Sequence, residues 1–365
     1  IRGENQSSRN SGVVHAGVYY TPGTKKAKFC VEGNRMMYDF CKTHGVPAKQ
    51  TGKLIVAVNQ EEDQTLDEYE KKCKQNGVPV DKIDGKKANQ YEPNVTAVSA
   101  LHLPTSGIVD ATGLVTKLRD LASINGAYFA ISSRVIDVRP KKDYFQITAE
   151  RNGKTETIDA KFVVNAAGLN SDIIARMVNP DSPYNVVPLR GEAAKFYKTK
   201  RPNLWMNGLN VYPTPYFFDN KTGERIPKKH EDKVKDKTLT VGVHLTPTFG
   251  DFDGNIGSTV TIGPALTTGV SKTNYSNNLH PESHYLEQVE RFFSGLRLED
   301  IELHQAGILA KTAETKDFVI EADKRHPNFY NLVSIDSPGL TSSLAIAKHV
   351  KNYYMAARKN KQIPK

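Results

Sequence analysis

Cysteine is scarce in this 365-residue chain: Cys30, Cys41 and Cys73 are the only three. An odd number without metal-ligand spacing argues against a disulfide framework or a cysteine-held metal, and for a reducing or matrix-like compartment. No apolar run reaches the about 18 residues needed to cross a bilayer. The start, Ile1-Arg2-Gly3-Glu4-Asn5-Gln6, has neither initiator Met nor the charged-then-apolar order of a signal peptide, and reads as an internal position of a longer gene product. No G-x-G-x-x-G follows an apolar strand near that start, so the usual cradle for a dinucleotide pyrophosphate is missing as a motif.

What is present belongs to a folded globular protein: 38% hydrophobic and 25% charged residues, in a length that divides naturally into two lobes. The net charge of +10 is spread along the chain, with lysine concentrations at 25–28, 228–237 and 348–365. No aromatic-interleaved basic motif accompanies it, which argues against nucleic acid. A solvated basic face that attracts an anionic substrate or lipid headgroups fits better. At 348–365 Tyr353, Tyr354 and Met355 stand among lysines, as in a peripheral membrane contact or a plain surface helix.

Periodicity gives an α/β order. Residues 25–44 read as a helix stopped by Gly45, 54–58 as a buried strand, 61–76 as a polar helix, and 111–124 as a helix capped by Asp110. Strands are expected at 128–131, 134–138, 144–149 and 155–158, with Asn152-Gly153 as a hairpin turn. A buried strand at 161–168 runs into a glycine turn and a helix at 171–178. Residues 186–312 are β-rich, with a polar, mobile insertion expected at 219–237, and the chain ends in strands, a Ser-Pro-Gly turn and a helix. This order suits a nucleotide-cofactor lobe interrupted by a substrate lobe.

The most informative string is Ser8-Arg9-Asn10-Ser11-Gly12-Val13-Val14-His15-Ala16-Gly17-Val18-Tyr19-Tyr20. Its small residues let a backbone approach something flat, and an imidazole and two phenols stand among them. Continued through Pro22-Gly23-Thr24 to Gly33, it closely resembles the segment after the first helix of L-2-hydroxyglutarate dehydrogenases, in the FAD-dependent D-amino-acid-oxidase-like superfamily. That resemblance implies an α/β (α+β) fold: an FAD-binding lobe of the two-dinucleotide-binding type at 1–60, 105–185 and 315–365, its first βα unit absent. A β-rich substrate or cap lobe follows from 61–104 and 186–314.

Phe162-Val163-Val164-Asn165-Ala166-Ala167-Gly168 resembles the family's second nucleotide-contacting strand, and Val135 lies where a backbone touches adenine. Asp336-Ser337-Pro338-Gly339-Leu340-Thr341-Ser342-Ser343 resembles the motif whose helix N-terminus faces the flavin carbonyl oxygens, where free amides favour the charge gained on reduction. Ser8, Arg9, Asn10, Ser11, Gly12, Val135, Ala167, Gly168, Gly339, Leu340, Thr341 and Ser342 are therefore the expected FAD contacts.

Hydride can leave a hydroxy acid only if something takes the hydroxyl proton, and a neutral imidazole suits that role. His15 is the first choice and His244, in Val241-Gly242-Val243-His244, its rival. Substrate carboxylates need fixed cations, for which Arg190 (in Val187-Pro188-Leu189-Arg190-Gly191-Glu192) and Lys311 are expected, with Tyr20 and Tyr212 as hydrogen-bond donors. The family commonly has Arg-Pro after the Gly-Ile of Gly307-Ile308, where this chain has Leu309-Ala310, so one expected cation is absent.

The implied activity is oxidation of L-2-hydroxyglutarate, or a related L-2-hydroxy acid, to the 2-oxo acid by hydride transfer to FAD. Electrons then pass to a quinone, another carrier or oxygen. The implied place is the mitochondrial matrix or inner-membrane side in a eukaryote, or the cytoplasm or inner membrane in a bacterium. Two other readings stay open: an amine or amino-acid oxidase of the same superfamily, and a non-catalytic scaffold that has lost its FAD cradle. The cradle itself is expected from a removed N-terminal segment or a separate chain.

Overall fold

Thr24 opens the first long helix, Lys25–His44, by accepting a hydrogen bond on its hydroxyl from the Ala27 amide, and Gly45 closes it. In this computed structural model the described residues are 6–219, 221, 222, 224–250 and 254–360. Residues 1–5, on which the reading of the chain's start mostly rests, lie outside them.

Eight strands form the largest sheet. Their order is Glu302–Thr312, Val186–Tyr197, Ile256–Thr267, His244–Phe249, Asn210–Pro213, Lys53–Ala57, Ser99–His102 and Asp81–Asp84. Alternation sends their side chains to two different environments. Leu54, Val56, Val211, Leu245, Val260 and Ile262 face one way and pack with Tyr285, Val289, Phe292 and Phe293. Ile55, Ala57, Leu101 and Tyr212 face the other way, onto Ala16, Val18, Leu66, Tyr69 and Cys73. The strand Lys53–Ala57, assigned from sequence to the cofactor lobe, is hydrogen-bonded in this sheet between Asn210–Pro213 and Ser99–His102. Its apolar run is buried on both sides by strands that periodicity cannot pair.

The other half is built around a smaller sheet ordered Val163–Asn165, Phe329–Val333, Val319–Ala322, whose first two strands are parallel. Over it the C-terminal helix Gly339–Lys359 packs against Lys25–His44, with Phe29, Phe318, Ile320, Tyr330, Ala345 and Ile346 between them. The two helices touch because Gly33 is small: a Cβ there would lie 2.2 Å from the Thr341 carbonyl oxygen.

A separate three-stranded sheet, Arg134–Pro140, Phe145–Arg151 and Lys154–Ala160, includes the expected hairpin at Asn152-Gly153. The strand expected at 128–131 is not formed. Tyr128 is fully exposed, and Phe129 and Ile131 are about half exposed. A strand needs a neighbour to satisfy its backbone, and no described strand lies beside this segment. The polar stretch expected to be a loop at 219–237 instead contributes Arg225–Ile226 and Lys237–Thr240 to a small sheet with Tyr216–Asp219. Arg225 ties it to Glu62 at 2.8 Å; residues 220 and 223 lie outside the described residues. At the C-terminal helix, Tyr353 donates to the Pro327 carbonyl and Tyr354 packs on Phe162 at 5.1 Å, each staying half-buried. Among the described residues no helix is long and apolar enough to cross a membrane.

Candidate active site

Three loops distant in sequence meet at one place. The turn Asp336-Ser337-Pro338 leads into the C-terminal helix, which has no side-chain cap. Gly339 donates to the Asp336 carbonyl and Ser342 to that of Pro338, leaving the first-turn amides of Leu340 and Thr341 without an intrahelical acceptor. Thr341 is buried and joins this helix to the N-terminal run. Its hydroxyl accepts from the His15 amide at 3.1 Å and donates to the Val13 carbonyl at 3.3 Å.

Asn10 organises the run before it: its side-chain amide donates to the Gln6 and Ser7 carbonyls and its oxygen accepts from Gly12 N. Gly12 has φ 66°, and a Cβ there would meet the Val109 carbonyl oxygen at 2.6 Å. Arg9 donates to the Ala306 carbonyl and lies 4.7 Å over the Tyr275 ring. Gly168, at the end of Val163–Asn165, faces Gln6, and Asn165 donates to Asn331 on the neighbouring strand at 2.9 Å. The run is joined to Gly168 through Gln6 and to the C-terminal helix through Val13 and His15. Val135 is 37% exposed and pairs with Ala149 in the separate sheet.

His15 Nε2 lies 3.3 Å from Ser337 Oγ. Burial, then the neighbouring Lys53 and His244, hold its pKa well below the ordinary value, so it rests neutral. Asn34 and Cys30 fix its backbone by donating to its carbonyl. Tyr20 reaches the Ser337 hydroxyl. Beyond Ser337, Asp336 pairs with Lys26, and burial raises the carboxyl despite both Lys26 and Lys311. Lys311 has no ion pair among the described residues, and burial lowers its pKa.

Opposite His15 stands a polar row on the large sheet. His244 stacks on Tyr212, with ring centres 3.6 Å apart, and Lys53 Nζ lies 3.6 Å from the centre of the same ring. His244 Nδ1 donates to the Gly242 carbonyl at 2.9 Å, so Nε2 carries a bare lone pair; burial chiefly lowers its pKa to about 3. Sequence reasoning missed Lys53. It opens the apolar strand Leu54-Ile55-Val56-Ala57, where a lysine ordinarily reaches back to solvent, yet here it is 1% exposed.

Arg190 requires a correction. Its guanidinium is buried and fully engaged: Nε and Nη2 bond Glu192, Nη1 the Asn274 and Asn277 carbonyls, and Nη2 that of Asn278. With all five donors spent, it pins the 274–278 loop to the sheet and has no fork left for a substrate carboxylate.

The C-terminal helix carries the features that suit a flavin. Ser342 and Ser343 carry buried hydroxyls without hydrogen-bond partners among the described residues beside the uncapped first turn, and Val13, next to Gly12, accepts from Thr341 of that turn. These donors and the close backbone approach fit the polar edge of a flavin ring. A second feature is a groove of about 1040 Å³ along the open edge of Val163–Asn165, lined by Phe162, Val164, Leu332, Ile335, Ile346 and Tyr354.

Fold and site define a flavin-type oxidoreductase. The profile of the FAD dependent oxidoreductase family matches residues 2–352, and the chain belongs to that family. It is 30% identical to the mitochondrial L-2-hydroxyglutarate dehydrogenase of Caenorhabditis briggsae over 94% of this chain and 83% of that protein. To the mitochondrial L-2-hydroxyglutarate dehydrogenase of Arabidopsis thaliana it is 31% identical, over 96% of this chain and 75% of the relative. Its fold is similar to that of an L-alpha-glycerophosphate oxidase from Mycoplasma pneumoniae solved with FAD bound, with TM-score 0.79 and 19% identity over 96% of this chain and 85% of that one.

Proposed function

We propose that this chain catalyses FAD-dependent oxidation of L-2-hydroxyglutarate to 2-oxoglutarate. The observation that carries the reading is His15, a neutral imidazole held against the uncapped helix turn at Ser337 and Thr341. It is joined by relatives of that activity that are similar along nearly the whole chain. When bound, FAD supplies the acceptor for the hydride from C2. Proton and hydride leave adjacent atoms, so the base must stand at the flavin-facing edge, and the contacts of His15 with Ser337 and Thr341 support that role. His15 takes the hydroxyl proton, His244 is the reserve acceptor on the sheet side, and Tyr20 and Tyr212 orient the substrate. Lys311 attracts a carboxylate. Ser8 to Gly12, Val135, Ala167, Gly168 and Gly339 to Ser342 contact the cofactor. Electrons leave to a quinone, another carrier or oxygen. The mitochondrial relatives support a mitochondrial place for a eukaryotic form.

The pyrophosphate cradle is not present as a motif in these 365 residues. The test is anaerobic mixing of flavin-loaded enzyme with L-2-hydroxyglutarate, L-lactate, glycerol 3-phosphate and sarcosine, following loss of the visible flavin band. L-2-hydroxyglutarate should bleach fastest. Faster bleaching by sarcosine would move the protein to amine oxidation, and faster bleaching by glycerol 3-phosphate to phosphate esters.

A further inference from the structure

Lys53, Tyr212, His244 and Thr246 lie on three neighbouring strands, and the pairing of Tyr212 with Ile55 and of Val211 with Leu245 puts them on one face. With Tyr19, which lies over the same patch, they leave five buried polar atoms without a hydrogen-bond partner among the described residues: Lys53 Nζ, Tyr19 Oη, Tyr212 Oη, His244 Nε2 and Thr246 Oγ1. The Tyr212 and Thr246 hydroxyls face each other without reaching hydrogen-bond geometry. A single such atom left dry costs about 1–3 kcal/mol. Five on one patch mark a place shaped for a polar occupant.

The charge of that occupant follows from the donors. Tyrosine and threonine hydroxyls are neutral, and His244, whose proton is spent on Gly242, presents only a lone pair. Lys53 is the one cation of the cluster. Its nearest ring is Tyr212, whose other face is taken by His244, so the ammonium is fixed in direction by the stack Lys53–Tyr212–His244. Arg190, the cation expected from sequence, is consumed elsewhere.

We propose that Lys53 is the specificity-determining cation of the site, receiving the substrate carboxylate remote from the reacting hydroxyl, with the Tyr19 hydroxyl beside it. This rests on the dicarboxylate reading above. The burial that draws the Lys53 pKa down to about 7 is the desolvation an incoming carboxylate offsets.

The experiment compares flavin-loaded wild-type enzyme with Lys53→Met and Lys53→Gln. KM and kcat are measured for L-2-hydroxyglutarate and for the monocarboxylate L-2-hydroxybutyrate, and thermal shifts for glutarate and butyrate. Loss of a charge-assisted contact should raise KM for the dicarboxylate about 10- to 100-fold with kcat less affected. It should also erase the preference over L-2-hydroxybutyrate and abolish the glutarate shift. An unchanged preference and an unchanged glutarate shift would make Lys53 a structural partner of Tyr212 and overturn the proposal. If both variants fail to fold, reductive methylation of the wild type read by mass spectrometry decides: glutarate should protect Lys53. Equal labelling with and without it, or no labelling at all, would sink the idea. A wild type that binds glutarate but does not oxidise L-2-hydroxyglutarate refutes the proposed substrate while leaving the carboxylate site standing.

Discussion

The His15 backbone amide donates to the Thr341 hydroxyl at 3.1 Å across 326 residues of sequence. The bond fixes the imidazole to the first turn of the C-terminal helix, so the group assigned to take a proton and the amides assigned to the flavin edge move as one unit. Thr341 completes the link by donating to Val13 on the other side of the same loop.

That arrangement makes His15→Asn informative. The single-turnover rate of flavin bleaching by L-2-hydroxyglutarate should fall about 10²–10⁴-fold, the range for a lost general base. The thermal shift produced by glutarate should remain. A loss below tenfold would hand the proton to His244.

Arg190→Gln should act on stability and not on substrate affinity. Removing one partner of a buried ion pair typically costs about 3–5 kcal/mol, because the other charge is left uncompensated, and Glu192 is 2% exposed. Urea unfolding should show the loss while the folded fraction keeps its KM. A raised KM at unchanged stability would restore Arg190 as a carboxylate ligand.

Gly33→Ala should loosen the contact of the two long helices. Its new Cβ would meet Thr341 O at 2.2 Å and Ser342 Cα at 2.9 Å, both backbone atoms that cannot swing aside. Overpacking of this kind costs about 1–3 kcal/mol. Because Thr341 also holds His15, bleaching should slow as well as the melting point fall; a variant as stable and fast as wild type would refute the close packing.

Lys53 gives the pH dependence of stability a sign. Its folded pKa is about 7 against an ordinary 10.5, chiefly through burial. Between those values the unfolded chain binds the proton and the folded chain does not, so this group's contribution to stability rises with pH. Below about pH 7 both states are protonated and the burial penalty is felt in full. Melting curves of substrate-free protein across that window should show an upward slope that Lys53→Met flattens; parallel curves for the two proteins would contradict it.

Local signals carried most of the elements. Thr24 and Gly45 bracket the first helix as capping chemistry requires, and Asp110 caps Ala111–Ile124 by accepting from Gly113 N. Legibility stopped where a residue's meaning depends on strands far away in the chain. Arg190 looked free because the carbonyls of Asn274, Asn277 and Asn278 that consume it lie some way along the chain. Lys53 looked like a strand-end lysine because its cover comes from Tyr19 and Tyr212, on separate elements. The stretch 128–131 has strand composition, yet composition does not supply the neighbour that a strand must bond.

Among the described residues the strand Val163–Asn165 has a partner on one side only, and Val164 within it is 40% exposed. An unpaired backbone row with apolar flanks templates any extended segment that reaches it. That row is therefore where self-association of the chain is expected to start.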